Sequence, residues 1–251
     1  MGKRRLGVAA AGLVVLVCAA CATTSSHAAR TSSVVALGDS VPRGTNCHCR
    51  PYPPLTADEL TTRTRRKVTA TNDAIAGATT ATVLEQLDSD RSVIEHVRAA
   101  DVVEIEIGAN DVGYSKRCGT SVACYAPKIA TIQKNLAAIV RRTRALTAGH
   151  DRLVVLLDYW SVWLGGKYAA AKGRAYVDAA EEMTDRVNTV IESTAARTGS
   201  AYVDLRAAFK GPDYSYDETH YLASDGDHPN AAGHRRIAEA ADAVIAKALH
   251  I

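Results

Sequence analysis

Val34-Val35-Ala36-Leu37 runs without a break into Gly38-Asp39-Ser40-Val41. The first four residues have the length and apolarity of a buried strand, and the next four bring a glycine, a carboxylate and a hydroxyl to its exit. Outward from this stretch, Val68–Thr71, Val102–Ile107, Leu153–Leu157 and Ala201–Val203 are similar short apolar or β-branched runs. Between them, roughly 81–98, 126–147 and 173–197 carry the apolar period of helices. A last helix, from about Ala231 to Leu249, begins behind Pro229-Asn230, where Asn is a favourable N-cap. Strands alternating with helices imply parallel βαβ units. The expected fold class is therefore α/β, a three-layer α/β/α sandwich around a five-stranded parallel sheet. No internal repeat, low-complexity linker or second domain interrupts the pattern.

The N-terminus has a different character. Met1-Gly2-Lys3-Arg4-Arg5 leads into an apolar stretch from Leu6 to about Ala22, followed by a Thr/Ser-rich segment. This is the layout of a secretory signal, and the apolar stretch is short for a spanning helix. Residues 1–29 are read as signal peptide and Thr/Ser-rich mature N-terminus, and residues 30–251 as one domain. Ala20-Cys21-Ala22 offers a cleavage site. Ala19-Ala20-Cys21 is the alternative, a lipoprotein junction with Cys21 as a lipid anchor, although Cys18 stands where Leu or Val is usual. The expected location is secreted or in the cell envelope.

Without the leader, 27 basic side chains face 27 acidic ones. No basic field remains to recruit nucleic acid, and Arg63-Thr64-Arg65-Arg66-Lys67 reads as a solvated helix end. Four cysteines remain, Cys47, Cys49, Cys118 and Cys124, and an even number in an exported chain argues for two disulfides. A Cys47–Cys49 bridge would close a small ring. A Cys118–Cys124 loop is plausible but leaves that pair behind, and two bridges linking the 47–49 segment to the 118–124 segment avoid the small ring; the connectivity stays open. Zinc held by the Cys47/Cys49 pair with His48 is the weaker rival, since no CxxC or HExxH spacing accompanies it. No metal is expected.

In an open parallel sheet, ligands bind outside the carboxyl ends of the strands. Ser40 lies just past the first strand, and Asn72-Asp73-Ala74-Ile75-Ala76-Gly77 follows the second. Gly108-Ala109-Asn110-Asp111 follows the third, and Asp225-Gly226-Asp227-His228 follows the fifth. Four polar fragments thus share one rim. A serine is a weak nucleophile until a base takes its proton, and the base needs an acid to orient it. Ser40, His228 and Asp225 supply those parts.

These blocks resemble the SGNH or GDSL hydrolase superfamily of esterases and lipases: Gly38-Asp39-Ser40, Gly77, Gly108-Ala109-Asn110-Asp111 and Asp225-Gly226-Asp227-His228, in that order. The match spans about residues 34 to 230, with Val41 where many members carry Leu or Ile. The resemblance implies a flavodoxin-like sheet and hydrolysis of carboxylic esters.

The physical reading of the residues agrees with it. Ser40 would attack the ester carbonyl, His228 would serve as base, and Asp225 would fix its tautomer. The backbone N–H groups of Ser40 and Gly77 and the Asn110 amide are candidate oxyanion donors. Asp227 is a rival acid, disfavoured by its adjacency to His228. Asp39 reads as a structural carboxylate bonding loop amides. Tyr159, Trp160 and Trp163 are candidates for a substrate pocket, as are Tyr214, Tyr216 and Tyr221, although rim packing explains such aromatics equally well. His48, His96, His150, His220 and His234 read as solvated or structural. No Gly-Xaa-Ser-Xaa-Gly elbow, Walker A or dinucleotide fingerprint occurs, so no cofactor is expected.

The sequence points to an exported monomeric serine esterase or lipase acting on short to medium acyl esters, whether small-molecule, lipid or glycan. The alternatives are removal of acetyl groups from an envelope polysaccharide, and a non-catalytic carbohydrate- or envelope-binding protein on the same fold.

Overall fold

The computed structural model describes residues 1–2, 32–149 and 152–251. The apolar leader, both candidate cleavage junctions, Cys21 and His150 lie outside the described residues. Five strands form one parallel sheet: β1 (Ser33–Gly38), β2 (Thr69–Asn72), β3 (Val102–Glu106), β4 (Leu153–Leu157) and β5 (Ala201–Val203). Their order is β2-β1-β3-β4-β5, with β1 flanked on both sides: Val34 stands opposite Ala70 of β2 and Val102 of β3. Strands covered on both faces read as continuous apolar runs. Val34, Ala36 and Leu37 are fully buried accordingly.

The helices are α1 (Ser40–Arg43), α2 (Tyr52–Thr64), α3 (Thr80–Ser89), α4 (Arg91–Ala99), α5 (Ala126–Leu146), α6 (Gly166–Ala170), α7 (Arg174–Thr198), α8 (Leu205–Lys210) and α9 (Ala231–Leu249). On one side of the sheet α2 packs against α9; on the other α3, α5 and α7 pack in series. Among the described residues no helix is long and apolar enough to cross a membrane. The single helix expected over 81–98 is two. Asp90 breaks it, and its carboxylate accepts the amides of Ser92 and Val93 to cap α4.

Two findings depart from expectation. The disulfides are local, Cys47 with Cys49 and Cys118 with Cys124. The first is reached because Asn46 and His48 both adopt left-handed backbone (φ 57 and 52), which folds the chain back and sets the Cys47 and Cys49 Cα atoms 5.1 Å apart. That separation lies within the usual disulfide range, so the small ring needs no partner from the 118–124 segment. Second, β3 carries Glu104 and Glu106 with no solvent exposure. Burial pushes Glu104 up to about 8 and Glu106 well above the usual carboxylate range, so both disfavour the charged form.

Candidate active site

β1 and β3 are neighbours although the chain visits β2 between them, and such a reversal opens a crevice at the carboxyl edge. Ser40 leaves β1 there as the first residue of α1. The turn is tight. Gly38 has φ 154, and a side chain on it would collide with the Glu106 carbonyl of β3. Asp39 is buried directly beneath. It accepts the Val41 amide at 3.0 Å and the Tyr159 hydroxyl at 2.7 Å, which fixes the start of α1. Burial raises Asp39 to about 6, against the pull of those two donors. With the Val41 amide taken by Asp39, the Ser40 N–H is left at the helix start, where no intrahelical acceptor exists.

His228 arrives from the other side, on the turn that immediately precedes α9 and follows α8. Leu222 and Pro229 form an antiparallel bridge, and Ala223 N–H donates to the His228 carbonyl at 2.8 Å, closing the 223–228 turn. Gly226 (φ 74) occupies its tip because a side chain there would enter the Tyr168 ring. Asn230 caps α9 through the amides of Ala232 and Gly233, and its own amide donates to the carbonyls of His220 and Leu222. The root of the His228 segment is thereby tied to the helix that follows.

Within the turn, Nδ1 of His228 donates to Oδ2 of Asp225 at 2.7 Å. Oδ1 of the same carboxylate accepts the amides of Asp227 and His228 at 3.0 and 3.1 Å. A further donor, Nδ2 of Asn46, reaches Oδ2 at 2.5 Å. Partial burial pushes Asp225 up, but the Asn46 and His228 side chains and the two amides more than offset it and hold the carboxyl at about 2. Asp227 makes no such bond to His228; it points to the cavity.

The other candidates sit on the loops after β2 and β3. Asn110 lies in a 3-10 turn, Ala109–Val112, and its Nδ2 donates one hydrogen to the Ala78 carbonyl at 3.0 Å. The second amide hydrogen remains. Asp111 accepts the Thr80 amide and hydroxyl at 2.9 and 2.7 Å, binding the two loops together. Gly77 is exposed, with φ 78 and open space where a side chain would stand.

A cavity of about 490 Å³ opens here, and its wall includes Ser40, Asn110 and His228. Gly77 does not contribute to it. Tyr159, Trp160 and Trp163 all line it, and all are almost wholly buried. Each ring also has packing work: Tyr159 holds Asp39, Trp160 stacks on Phe209 at 4.3 Å, and Trp163 donates to the Val112 carbonyl at 2.8 Å. Tyr114 and Tyr176, which the sequence did not single out, pack on Trp163 and line the cavity with Thr120, Lys172 and Asp227. Tyr214 and Tyr221 lie elsewhere, and Tyr216 borders a neighbouring cavity.

Cys47 and Cys49 have their atoms within 4.8 Å of His234 rather than of the His48 between them. The two sulfurs are bonded to each other, and Nδ1 of His234 accepts the Tyr52 amide at 3.3 Å. The thiolates a zinc site requires are therefore tied up in the bridge.

Solved structures of similar fold include the lipase Lip_vut3 from a goat rumen metagenome, 22% identical over 85% of this chain and 97% of that one, with a TM-score of 0.64. A catalytic mutant of Axe2, an acetylxylan esterase from Geobacillus stearothermophilus, is 20% identical over 85% and 94% of the two chains, TM-score 0.61. The lipase/acylhydrolase from Enterococcus faecalis is 19% identical over 86% and 96%, TM-score 0.58. No curated protein matches the chain. A family model, however, matches residues 36–236, from inside β1 to the first turns of α9. The chain belongs to the GDSL-like lipase/acylhydrolase family, a family of ester hydrolases.

Proposed function

We propose that this protein is an exported serine esterase that works through an acyl-enzyme on Ser40. One observation carries the reading: His228, bonded through Nδ1 to a carboxylate held ionised, shares a cavity wall with Ser40 and Asn110. With Nδ1 donating to Asp225, Nε2 of the neutral ring is the free base. It takes the Ser40 proton as Oγ attacks the ester carbonyl. The carbonyl oxygen becomes an oxyanion, received by the N–H of Ser40 and by the remaining amide hydrogen of Asn110, whereas Gly77, the third candidate donor, stands outside the cavity wall. His228 then protonates the departing alcohol, leaving Ser40 acylated. Water, deprotonated by the same imidazole, releases the acid and restores the hydroxyl.

A cavity of about 490 Å³ is in the range of small-molecule sites and suits short to medium acyl chains. The polar groups in its wall, Thr120, Lys172 and Asp227, beside Tyr114 and Trp163, favour a second reading in which the ester is an acetylated sugar. A purely binding role would leave the Asp225–His228 pair without purpose. Two cysteine bridges agree with an exported protein.

The test is hydrolysis of p-nitrophenyl esters from acetate to palmitate by the parent and by Ser40→Ala. Turnover that vanishes in Ser40→Ala, with an optimum at short or medium chains, is the expected result. Activity on acetate alone selects the sugar-ester reading. Turnover that survives Ser40→Ala overturns the serine mechanism.

A further inference from the structure

Asn46 has no place in the sequence motifs, yet among the described residues it makes the one hydrogen bond to Asp225 from outside the 225–228 turn. It lies 179 positions from Asp225 in the chain. An ionised carboxylate only accepts hydrogen bonds, so the Asn46 amide turns its NH2 edge to Oδ2, the oxygen that also receives His228. The loop carrying Asn46 grows directly from the Ser40 helix: the amides of Gly44 and Thr45 both donate to the Ser40 carbonyl, at 3.1 and 3.0 Å. Asn46 itself is left-handed, and the Cys47–Cys49 bridge closes the chain just beyond it.

We propose that Asn46 is a positioning residue for Asp225, clamping the carboxylate from the loop of the nucleophile. It thereby fixes the segment that carries the serine relative to the one that carries the base. This rests on the serine mechanism proposed above. Asn46 is not in the cavity wall, so its effect is expected in the chemical step rather than in substrate binding. Its amide also offsets part of the charge that the imidazolium feels.

Two substitutions separate positioning from a mere turn requirement. Asn46→Gly keeps a residue at ease in left-handed backbone but deletes the donor. Asn46→Asp keeps the side-chain shape but sets a like charge against Asp225. Asn46→Gly is expected to lower kcat by about tenfold, with KM and the unfolding midpoint close to those of the parent. The acidic limb of its kcat/KM profile should move to higher pH, because the imidazolium then faces a carboxylate less neutralised. Asn46→Asp should lose more at pH 8 than Asn46→Gly. Parental kcat and pH profile in Asn46→Gly, or Asn46→Asp no worse than Asn46→Gly, overturns the clamp. Ser40→Ala, run beside them, keeps the two ideas apart. Turnover that needs Ser40 and ignores Asn46 defeats the clamp alone, and turnover that does not need Ser40 defeats both.

Discussion

Asn110 divides its two amide hydrogens between structure and the proposed chemistry. One is spent on the Ala78 carbonyl, which draws the loop after β2 towards the loop after β3. The other is the side-chain donor proposed for the oxyanion, beside the backbone N–H of Ser40. Asn110→Ala is therefore expected to cut kcat by roughly 100-fold or more, with KM little changed in the same ester assay. The choice of acid is equally concrete. Asp225→Asn should cost on the order of 1,000-fold in kcat, since an amide disturbs the tautomer that the carboxylate enforces, whereas Asp227→Asn should stay within about tenfold. Steady-state kinetics of the pair decides it. Ser40, Asn110, Asp225 and His228 were legible as candidates because each sits in a short polar motif, at the exit of β1 or β3 or just before α9. Asn46, Tyr114 and Tyr176 were not. Asn46 reaches its partner across the fold, and the two tyrosines take part only once Trp163 has brought them together.

At the level of elements, the connection from β5 to α9 depends on a cap. Asn230 joins the first turn of α9 to the carbonyls of His220 and Leu222, two residues after His228. Asn230→Ala is expected to destabilise the fold by about 1–2 kcal/mol and to lower kcat as the His228 turn loosens, measured by urea unfolding and ester turnover. The sequence located α9, its cap and β4 and β5 well, because periodicity and capping signals coincide there. Helix α2 escaped notice: Pro53 and Pro54 stand in its first turn and Thr56, Thr61, Thr62 and Thr64 dilute its propensity. What holds it is packing, through Tyr52, Ala57 and Leu60, which local sequence does not reveal. The break at Asp90 was hidden because the apolar period continues across it.

For the whole molecule, the two acids inside the sheet contribute to the pH dependence of stability. Glu104 ionises near 8 when folded and near the usual carboxylate value when unfolded, so its neutral form contributes stability fully at low pH. That contribution is lost as pH rises from about 4.5 towards 8. Glu104→Gln, which keeps the neutral shape, should match the parent near pH 4 and exceed it by about 3 kcal/mol at pH 7. Urea unfolding at the two pH values checks this. The apolar reading of Val102–Ile107 gave no warning of the cost, since a glutamate in a strand is normally expected to face water. The bridges act on another scale. They span two and six positions, and neither ties one layer of the sandwich to another. Cross-links over such short loops remove little freedom from an unfolded chain. A nascent polypeptide can therefore assemble its sheet while these four thiols are still reduced. Because each of these four cysteines finds its mate within its own loop, their later oxidation needs no isomerase to sort partners.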